Sequence, residues 1–445
     1  MNNQLSGTIG IVGMGQTGCS VLRWLLAQSC QPMLFDTRQT LPNPAIQIMK
    51  HADVALVTHL GALHVAALSQ CELLIVSPGL SIADPALKEA ALNGTEIIGD
   101  VELFCRFDDR PRIAITGSNG KSTVTTLVTE MLNRAGMKAA AIGNIGRPVM
   151  DVIDSDDDVL VMELSSFQLE TTSSLRASVA CFLNVSPDHL DRYDSFEHYA
   201  TTKAEIYANA QVSVWNRADA LTQPSTLERT TSFGLTQPEP EQWGLLEQQG
   251  ELWLAKGQTQ ILACIHMPML GAHNRANALA ALACVDGVQA NIEKCVAALV
   301  EFNGLPHRCQ TVLQHDGITW VNDSKATNEG ATLAALNGLS GSYDGRLILL
   351  AGGDSKGADF CSMRSALNEQ VDELICFGKD AIKLANKRQN ARLVGNLEEA
   401  VDIASSIGKK GDLILLSPAC ASLDQFSNYM ERGDRFAQLA QEVSR

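Results

Sequence analysis

The stretch AITGSNGKSTVTTL, residues 114–127, is made of the residue types that hold phosphate. Gly120, Lys121 and Ser122 match the end of the nucleotide loop G-x-x-x-x-G-K-[ST], but Gly117 and Gly120 enclose two residues where that loop encloses four. A β-rich strand, RIAIT, runs into the loop, and a helix, KSTVTTLVTEML, leaves it. In that context the backbone N–H groups of Gly117, Ser118, Asn119, Gly120, Lys121, Ser122 and Thr123 are expected to face a phosphate, helped by the helix dipole. Lys121 brings a point charge to the β and γ oxygens, and Ser122 brings a hydroxyl for Mg²⁺. The shortening tightens the loop and removes none of these parts. A nucleoside triphosphate is the expected ligand.

A second glycine turn lies at the N-terminus. GMGQTG sets Gly13, Gly15 and Gly18 in full G-x-G-x-x-G spacing between a strand and a helix, and Asp36 ends the next strand where an acidic residue can grip a ribose. Taken alone, the pattern fits NAD, another phosphorylated ligand, or a tight turn without a ligand. Two phosphate turns in one chain favour a transferase or ligase, since a dehydrogenase has no use for the second.

Other residues could join such chemistry. Glu163 ends the apolar strand VLVME, and a strand-tip carboxylate can reach the loop or stand in solvent. His189 follows the strand ACFLNVS; alone it reads as a surface or capped histidine. Lys203, by spacing, is a solvated helix lysine. Asn274 and Asn277 open the amphipathic helix HNRANALAALACVDG, where capping is the simpler role. Lys356 follows the buried strand RLILLAGG, and residues beyond the carboxyl end of a parallel strand line a ligand crevice.

These residues need scaffolds. TIGIVGMG, QPMLFDT, ELLIVSPG and TEIIGD alternate with helical stretches, and the charged RFDDRPR, residues 106–112, reads as a linker. RIAITGS, VLVMELSS, VACFLNVS and VSVWN form a second set. WGLLEQQGELWLAKGQTQILACI adds an antiparallel patch with a turn near Gly250. Past FNGLPHRC come a hairpin around Asp316 and Gly317 and the buried strands RLILLAGG, ELICFG and DLILLSPA. Short apolar strands separated by helices imply largely parallel sheets with both faces covered. The expected architecture is α/β in three domains: 1–99 Rossmann-like, 100–304 of the P-loop ATPase type, and 305–445 Rossmann-like.

The 445 residues are 45% apolar and carry a net charge of -16, which argues against a nucleic-acid binder. Any anionic ligand must be caught by local cations and helix N-termini. None of the 12 cysteines forms a C-x-x-C pair, and no apolar run reaches membrane-spanning length. The opening MNNQLSGTIG lacks the basic and apolar regions of a signal peptide, so free thiols in a reducing cytoplasm are expected.

ITGSNGKST resembles the ATP loop of the Mur ligase family. GNIG, ELSSFQLE, LNVSPDHLDRY, YATTKAEIY, GAHNRANALAA, FNGLPHR, NDSKATN, GGDSKGADF and SPACASLDQF match further family segments in order, so the resemblance spans essentially the whole chain. ELSSFQLE with SPACASLDQF is similar to the D-glutamate-adding branch. The resemblance implies amide-bond formation between UDP-N-acetylmuramoyl-L-alanine and D-glutamate, driven by ATP through an acyl phosphate, in a cytoplasmic monomer that binds no nucleic acid or membrane.

It also implies roles. Ser122, Glu163, His189 and a CO₂-carbamylated Lys203 would hold two Mg²⁺ ions, with Asn144 and His189 near the reacting groups. Asn274, Asn277, Arg308, Asp323 and Lys325 would serve the nucleotide. Gly15, Thr17, Asp36, Thr37, Arg38, Ser77 and Gly79 match the UDP positions. Gln16 departs from the apolar residue often found in the family. Thr327, Lys356, Ser422, Leu423 and Tyr429 match the D-glutamate pocket, with Tyr429 standing where phenylalanine is frequent.

Overall fold

A computed structural model describes residues 5, 7–188, 192–226, 228–269, 271–340 and 343–443. Three sheets follow one another along the chain. The first has five parallel strands, with Ile9–Val12 at the centre between Met33–Asp36 and Leu73–Val76, and with Thr58–Leu60 and Glu96–Ile98 at the edges. This is the strand order of a Rossmann half, whose crevice opens where the order reverses beside the central strand. The glycine turn leaves that strand and enters the helix Gln16–Ala27.

The middle sheet has nine strands. Its parallel part sets Arg112–Thr116 between Val179–Phe182 and Val159–Glu163, with Ala139–Gly143 outermost. The central strands are buried along their whole length, as the apolar runs VLVME and VACF require. Trp243–Gln248, Glu251–Lys256 and Thr259–Ala263 pair antiparallel at the far edge, so the expected patch extends this sheet. The helix Ala272–Gly287 covers one face. It is buried without a break from Ala278 to Val285, so its second half is enclosed on all sides where the sequence suggested an amphipathic helix.

The third sheet runs in the order Gln310–His315, Ile318–Asn322, Leu413–Leu416, Leu347–Gly352, Glu373–Phe377 and Arg392–Leu393. The first pair is the expected antiparallel hairpin, and the other pairs are parallel.

The expected linker at 106–112 is a folded junction. Arg106 and Phe107 finish the helix Asp100–Phe107, and Arg112 begins the next strand. Asp108 and Arg112 are buried, and the Arg110 guanidinium donates to Asp108 Oδ2 at 2.6 Å, to Val152 O at 2.7 Å and to Ser155 O at 2.9 Å. Its charges are satisfied internally, so composition alone misread it. Among the twelve cysteines only Cys361 is exposed. Among the described residues no helix is long and apolar enough to cross a membrane.

Candidate active site

The phosphate loop lies at the carboxyl end of Arg112–Thr116 and ends in the helix Lys121–Arg134, whose N-terminus has no side-chain cap. Gly120 takes a left-handed φ of 84°, and a Cβ there would lie 2.6 Å from Asn277 Oδ1, so glycine is required on both counts. The short loop is held by the protein itself. Asn119 N–H donates to Asn184 Oδ1 and Ser118 N–H to Asn184 O, both at 2.9 Å. Those two N–H groups therefore do not face a ligand, which corrects the expectation for 117–123. The uncapped first helical turn, at Lys121, Ser122 and Thr123, keeps the anion-binding geometry.

A cleft of about 590 Å³ opens over this turn. Among the described residues its walls carry the basic Lys121, Lys203, Arg308, Lys325 and Lys356 against Glu163, Asp188 and Asp323, in a chain of net charge -16. The local excess of positive charge suits a polyanion. Ser118, Asn119, Asn144, Asn274, Asn277, Thr327 and Tyr429 also line it. Gly117 contributes its carbonyl, which accepts from Lys121 Nζ at 2.7 Å and from Lys203 Nζ at 3.1 Å.

Lys203 is buried at 2% exposure, against the solvated lysine its spacing suggested. Tyr199 and Thr202 of its helix, Phe196–Ala204, are buried with it, and its ammonium sits 4.8 Å from the centre of the Tyr199 ring. Burial, with Lys121 nearby, pushes its pKa well below the usual lysine value. Lys121 is lowered as well, mainly by desolvation.

Glu163 is buried at the end of its strand. Asn144 Nδ2 donates to its Oε1 at 2.6 Å, and its Oε2 is buried with no hydrogen-bond partner among the described residues. Such an orphan acceptor calls for a missing partner. Ser122 Oγ accepts from Arg308 Nη2 at 2.8 Å, a bond from the third sheet's side of the cleft to the helix start. Among the described residues no three His, Cys, Asp or Glu side chains converge as a ready-made metal cage. The donors present, a hydroxyl and a carboxylate, suit Mg²⁺, which completes its shell with phosphate and water. His189 lies outside the described residues.

Across the cleft, Asp323 accepts from Ser417 Oγ at 2.7 Å and from Cys309 N–H at 3.1 Å, and burial raises its pKa to about 7. Lys325 sits 4.3 Å from the Tyr429 ring centre; desolvation first, then Arg308 and Lys121, lower it to about 8. Lys356 Nζ is 4.0 Å from Asp188 Oδ1, and Asn328 Nδ2 donates to Asp188 Oδ2 at 3.1 Å. Ser422 is buried and Leu423 exposed, and neither lines the cleft. Asn274 and Asn277 do not cap their helix: Gly271 is the N-cap and no side chain bonds there.

The N-terminal turn forms a separate site. Gly18 permits a close approach, since a Cβ there would lie 2.0 Å from Gly13 O. Gly15, Gln16 and Thr37 are exposed, Gly79 is exposed beside Ser77, and Thr17 is the second residue of an uncapped helix. Ser77 Oγ donates to Gly13 O at 2.7 Å. Asp36 is buried and accepts from Met14 N–H, from Arg38 N–H and from the Arg38 guanidinium at 2.6 to 2.9 Å. Burial alone would raise its pKa, but these donors hold it at about 2. A carboxylate so fully engaged fixes the turn and Arg38, and the NAD reading loses the acceptor it needed.

Sequence reasoning gave no separate role to Asn184, Asp188, Asn328, Phe167 or Arg192. The last donates to Leu80 O at 3.4 Å and lies 4.2 Å from the centre of the Phe167 ring, between the two sites. Asn184, Asp188 and Arg192 all fall within LNVSPDHLDRY, the one signal that could have pointed to them.

Three family descriptions match the chain in order: Mur ligase MurD-like, N-terminal domain, at residues 7–99; Mur ligase middle domain at 115–285; and Mur ligase, glutamate ligase domain, at 307–420. The chain is 46% identical over 437 residues to the UDP-N-acetylmuramoylalanine--D-glutamate ligase of Shigella dysenteriae serotype 1, covering 97% of this chain and 98% of that one. It is 44% identical over 437 residues to the enzyme of the same name from Aliivibrio salmonicida, covering 98% and 97%. The solved structure of a pseudomurein peptide ligase type C from Methanothermus fervidus shares the fold, with a TM-score of 0.61 at 18% identity, over 98% of this chain and 100% of that one.

Proposed function

The chain belongs to the Mur ligase family, and from that premise we propose that it joins D-glutamate to UDP-N-acetylmuramoyl-L-alanine at the expense of ATP, in the cytoplasmic part of peptidoglycan synthesis. The identity of nearly half its residues with D-glutamate ligases, along nearly the whole chain, is the observation that carries this reading. In it the chain divides at 99/100 and 304/305 and works as a monomer.

A carboxylate does not condense with an ammonium in water, so it must be activated. Its oxygen attacks the γ-phosphorus of ATP, ADP leaves, and an acyl phosphate forms. The neutral amine of D-glutamate then attacks the acyl carbon, the C–O bond to phosphate breaks, and amide, phosphate and a proton result. Lys121 leaves its bonds to the Gly117 and Ser118 carbonyls to meet the β and γ oxygens. Arg308, already at Ser122, approaches the γ-phosphate from the other side. Asn277, against Gly120, and Asn274 face the adenine, while Asp323 and Lys325 serve the ribose and phosphates.

Mg²⁺ fits the orphan Glu163 Oε2 and the Ser122 hydroxyl, and we assign a second ion to His189 and Lys203. Bound there, Mg²⁺ neutralises phosphate charge during transfer. Asn144 fixes Glu163 by holding its other oxygen. We assign Lys203 a carbamate. Its buried amine is pushed toward the neutral, nucleophilic form, and adding CO₂ with loss of a proton turns a repelled cation into an anion. Lys203→Ala should be nearly inactive and partly rescued by small carboxylates. Full activity without them would remove the role.

The UDP group fits the uncapped turn at Gly15, Gln16 and Thr17, with Thr37, Arg38, Ser77 and Gly79 around it. D-glutamate, a dianion with an amine, fits the end of the cleft at Thr327, Lys356 and Tyr429, with Ser422 and Leu423 joining as the third unit closes.

Phosphate release tests the whole reading. It should require ATP, UDP-N-acetylmuramoyl-L-alanine and D-glutamate together. Equal turnover with L-glutamate, or without the UDP substrate, would overturn it.

A further inference from the structure

The helix Glu329–Leu339 is the element of the third unit that packs against the helix Ala272–Gly287 of the middle unit. Its sequence, EGATLAALNGL, turns small residues to the cleft: Ala331, Ala334 and Ala335 line it. Gly330 and Gly338 need a separate explanation. Glycine weakens a helix relative to alanine, and neither residue adopts a left-handed φ that would demand it.

Packing supplies the reason. A Cβ on Gly330 would lie 2.9 Å from Ser186 Oγ and 3.4 Å from Asn119 Nδ2. A Cβ on Gly338 would lie 2.3 Å from His273 Nδ1 and 2.7 Å from its Cε1. Both sets of neighbours belong to the nucleotide site. Asn119 is in the phosphate loop, and Ser186 is tied to it, its N–H donating to Ser118 Oγ at 3.0 Å and its carbonyl accepting from that hydroxyl at 3.1 Å. His273 precedes Asn274, bonds to the Ala334 backbone and buries its Nδ1 with no hydrogen-bond partner among the described residues.

We infer that Gly330 and Gly338 are positioning residues that seat the third unit on the phosphate loop and on His273, so that ATP affinity and turnover depend on their missing side chains. The inference rests on the ATP site proposed above. The two contacts lie at opposite ends of one helix, so together they fix both its distance from the loop and its direction. Arg308 and Lys356 are carried by the same unit and line the cleft with that helix seated.

Gly338→Ala in the full chain is the test. The added methyl meets an imidazole already enclosed, so kcat/KM for ATP should fall about tenfold or more, in the range that overpacking produces. UDP-substrate affinity, measured by calorimetry, should not change, and the thermal midpoint should hold or rise, because alanine favours the helix. A structural fault would lower the midpoint instead. Adding His273→Ala removes the opposing ring, so the double variant should recover to the level of His273→Ala alone. Wild-type kcat/KM for ATP in Gly338→Ala, a lowered midpoint, or a double variant weaker than either single one would overturn the seat. If the wild-type chain released no phosphate, the proposed function would fall, and ATP affinities of the same variants by calorimetry would still decide the seat.

Discussion

The middle unit meets its two neighbours in opposite ways. Toward the first unit it shares one apolar core: Ile11, Leu22 and Ile75 pack in the same cluster as Phe104, Val149, Met162 and Phe182. Asp151 adds a clamp, accepting from Ser20 Oγ at 2.9 Å and from Nε and Nη2 of Arg23. Toward the third unit no described core cluster is shared. The contacts there are polar or close-fitting: Arg308 on Ser122, Asn328 and Lys356 on Asp188, and two glycines against side chains. A large apolar interface fixes two bodies, whereas a small polar one allows motion. The N-terminal glycine turn is thus held rigidly against the middle unit, and the third unit is the one that its interface leaves free to move.

The largest expected effect breaks the rigid side. Phe104 is fully buried in the shared core, so Phe104→Ala should cost about 3–5 kcal/mol. Calorimetric unfolding should show the first and middle units melting together at a lower temperature; a shift confined to one transition would separate them. Lys121→Ala leaves both interfaces intact and removes a charge donor from the chemistry, worth roughly 3–4 kcal/mol, or two to three decades in kcat. UDP-substrate binding, followed by titration calorimetry, should persist, and its loss would contradict the two-site layout.

On the mobile side, Lys356→Ala should raise the KM for D-glutamate and leave that for ATP nearly alone. Lys356 is part-exposed and only loosely paired, so the low end of the range for a broken charge pair applies, about 2 kcal/mol. A D-glutamate KM within twofold of wild type would take Lys356 out of the pocket.

The smallest effect sharpens the rigid side through pH. Asp100 opens the junction helix, and burial raises its pKa to about 6, with Oδ1 unpartnered among the described residues. A carboxyl raised on folding favours the folded state at low pH, and that contribution is lost as pH rises through about 6. Asp100→Asn should therefore gain stability over wild type at pH 8, of order 1 kcal/mol, and match it near pH 4. Urea midpoints at the two pH values check it, and a constant difference would mean that Asp100 does not titrate there.

Local patterns were legible in the sequence. The loop, the glycine turn and most core strands announce themselves because their chemistry lies within a few neighbouring residues. Lys203 did not, since its burial is decided by the loop and by Tyr199, far away in sequence or hidden on its own helix. The 106–112 stretch looked like solvated charge because Val152 and Ser155, which accept from Arg110, are remote in sequence. Asn184 had no visible role until the short loop was seen resting on it. Thr327, Lys356 and Tyr429 line the cleft, whereas Ser422 and Leu423 do not.

The distribution of thiols has a practical side. Cys361, exposed on the third unit, lies 3.2 Å from the Lys387 ammonium on the protein surface, while eight of its eleven fellows are buried and three half-buried. A maleimide dye used briefly at low excess should mark this one position on the unmodified chain. The label would ride on the third unit, so its anisotropy, or energy transfer from a fluorescent UDP substrate, would report any movement of that unit in real time without an engineered cysteine.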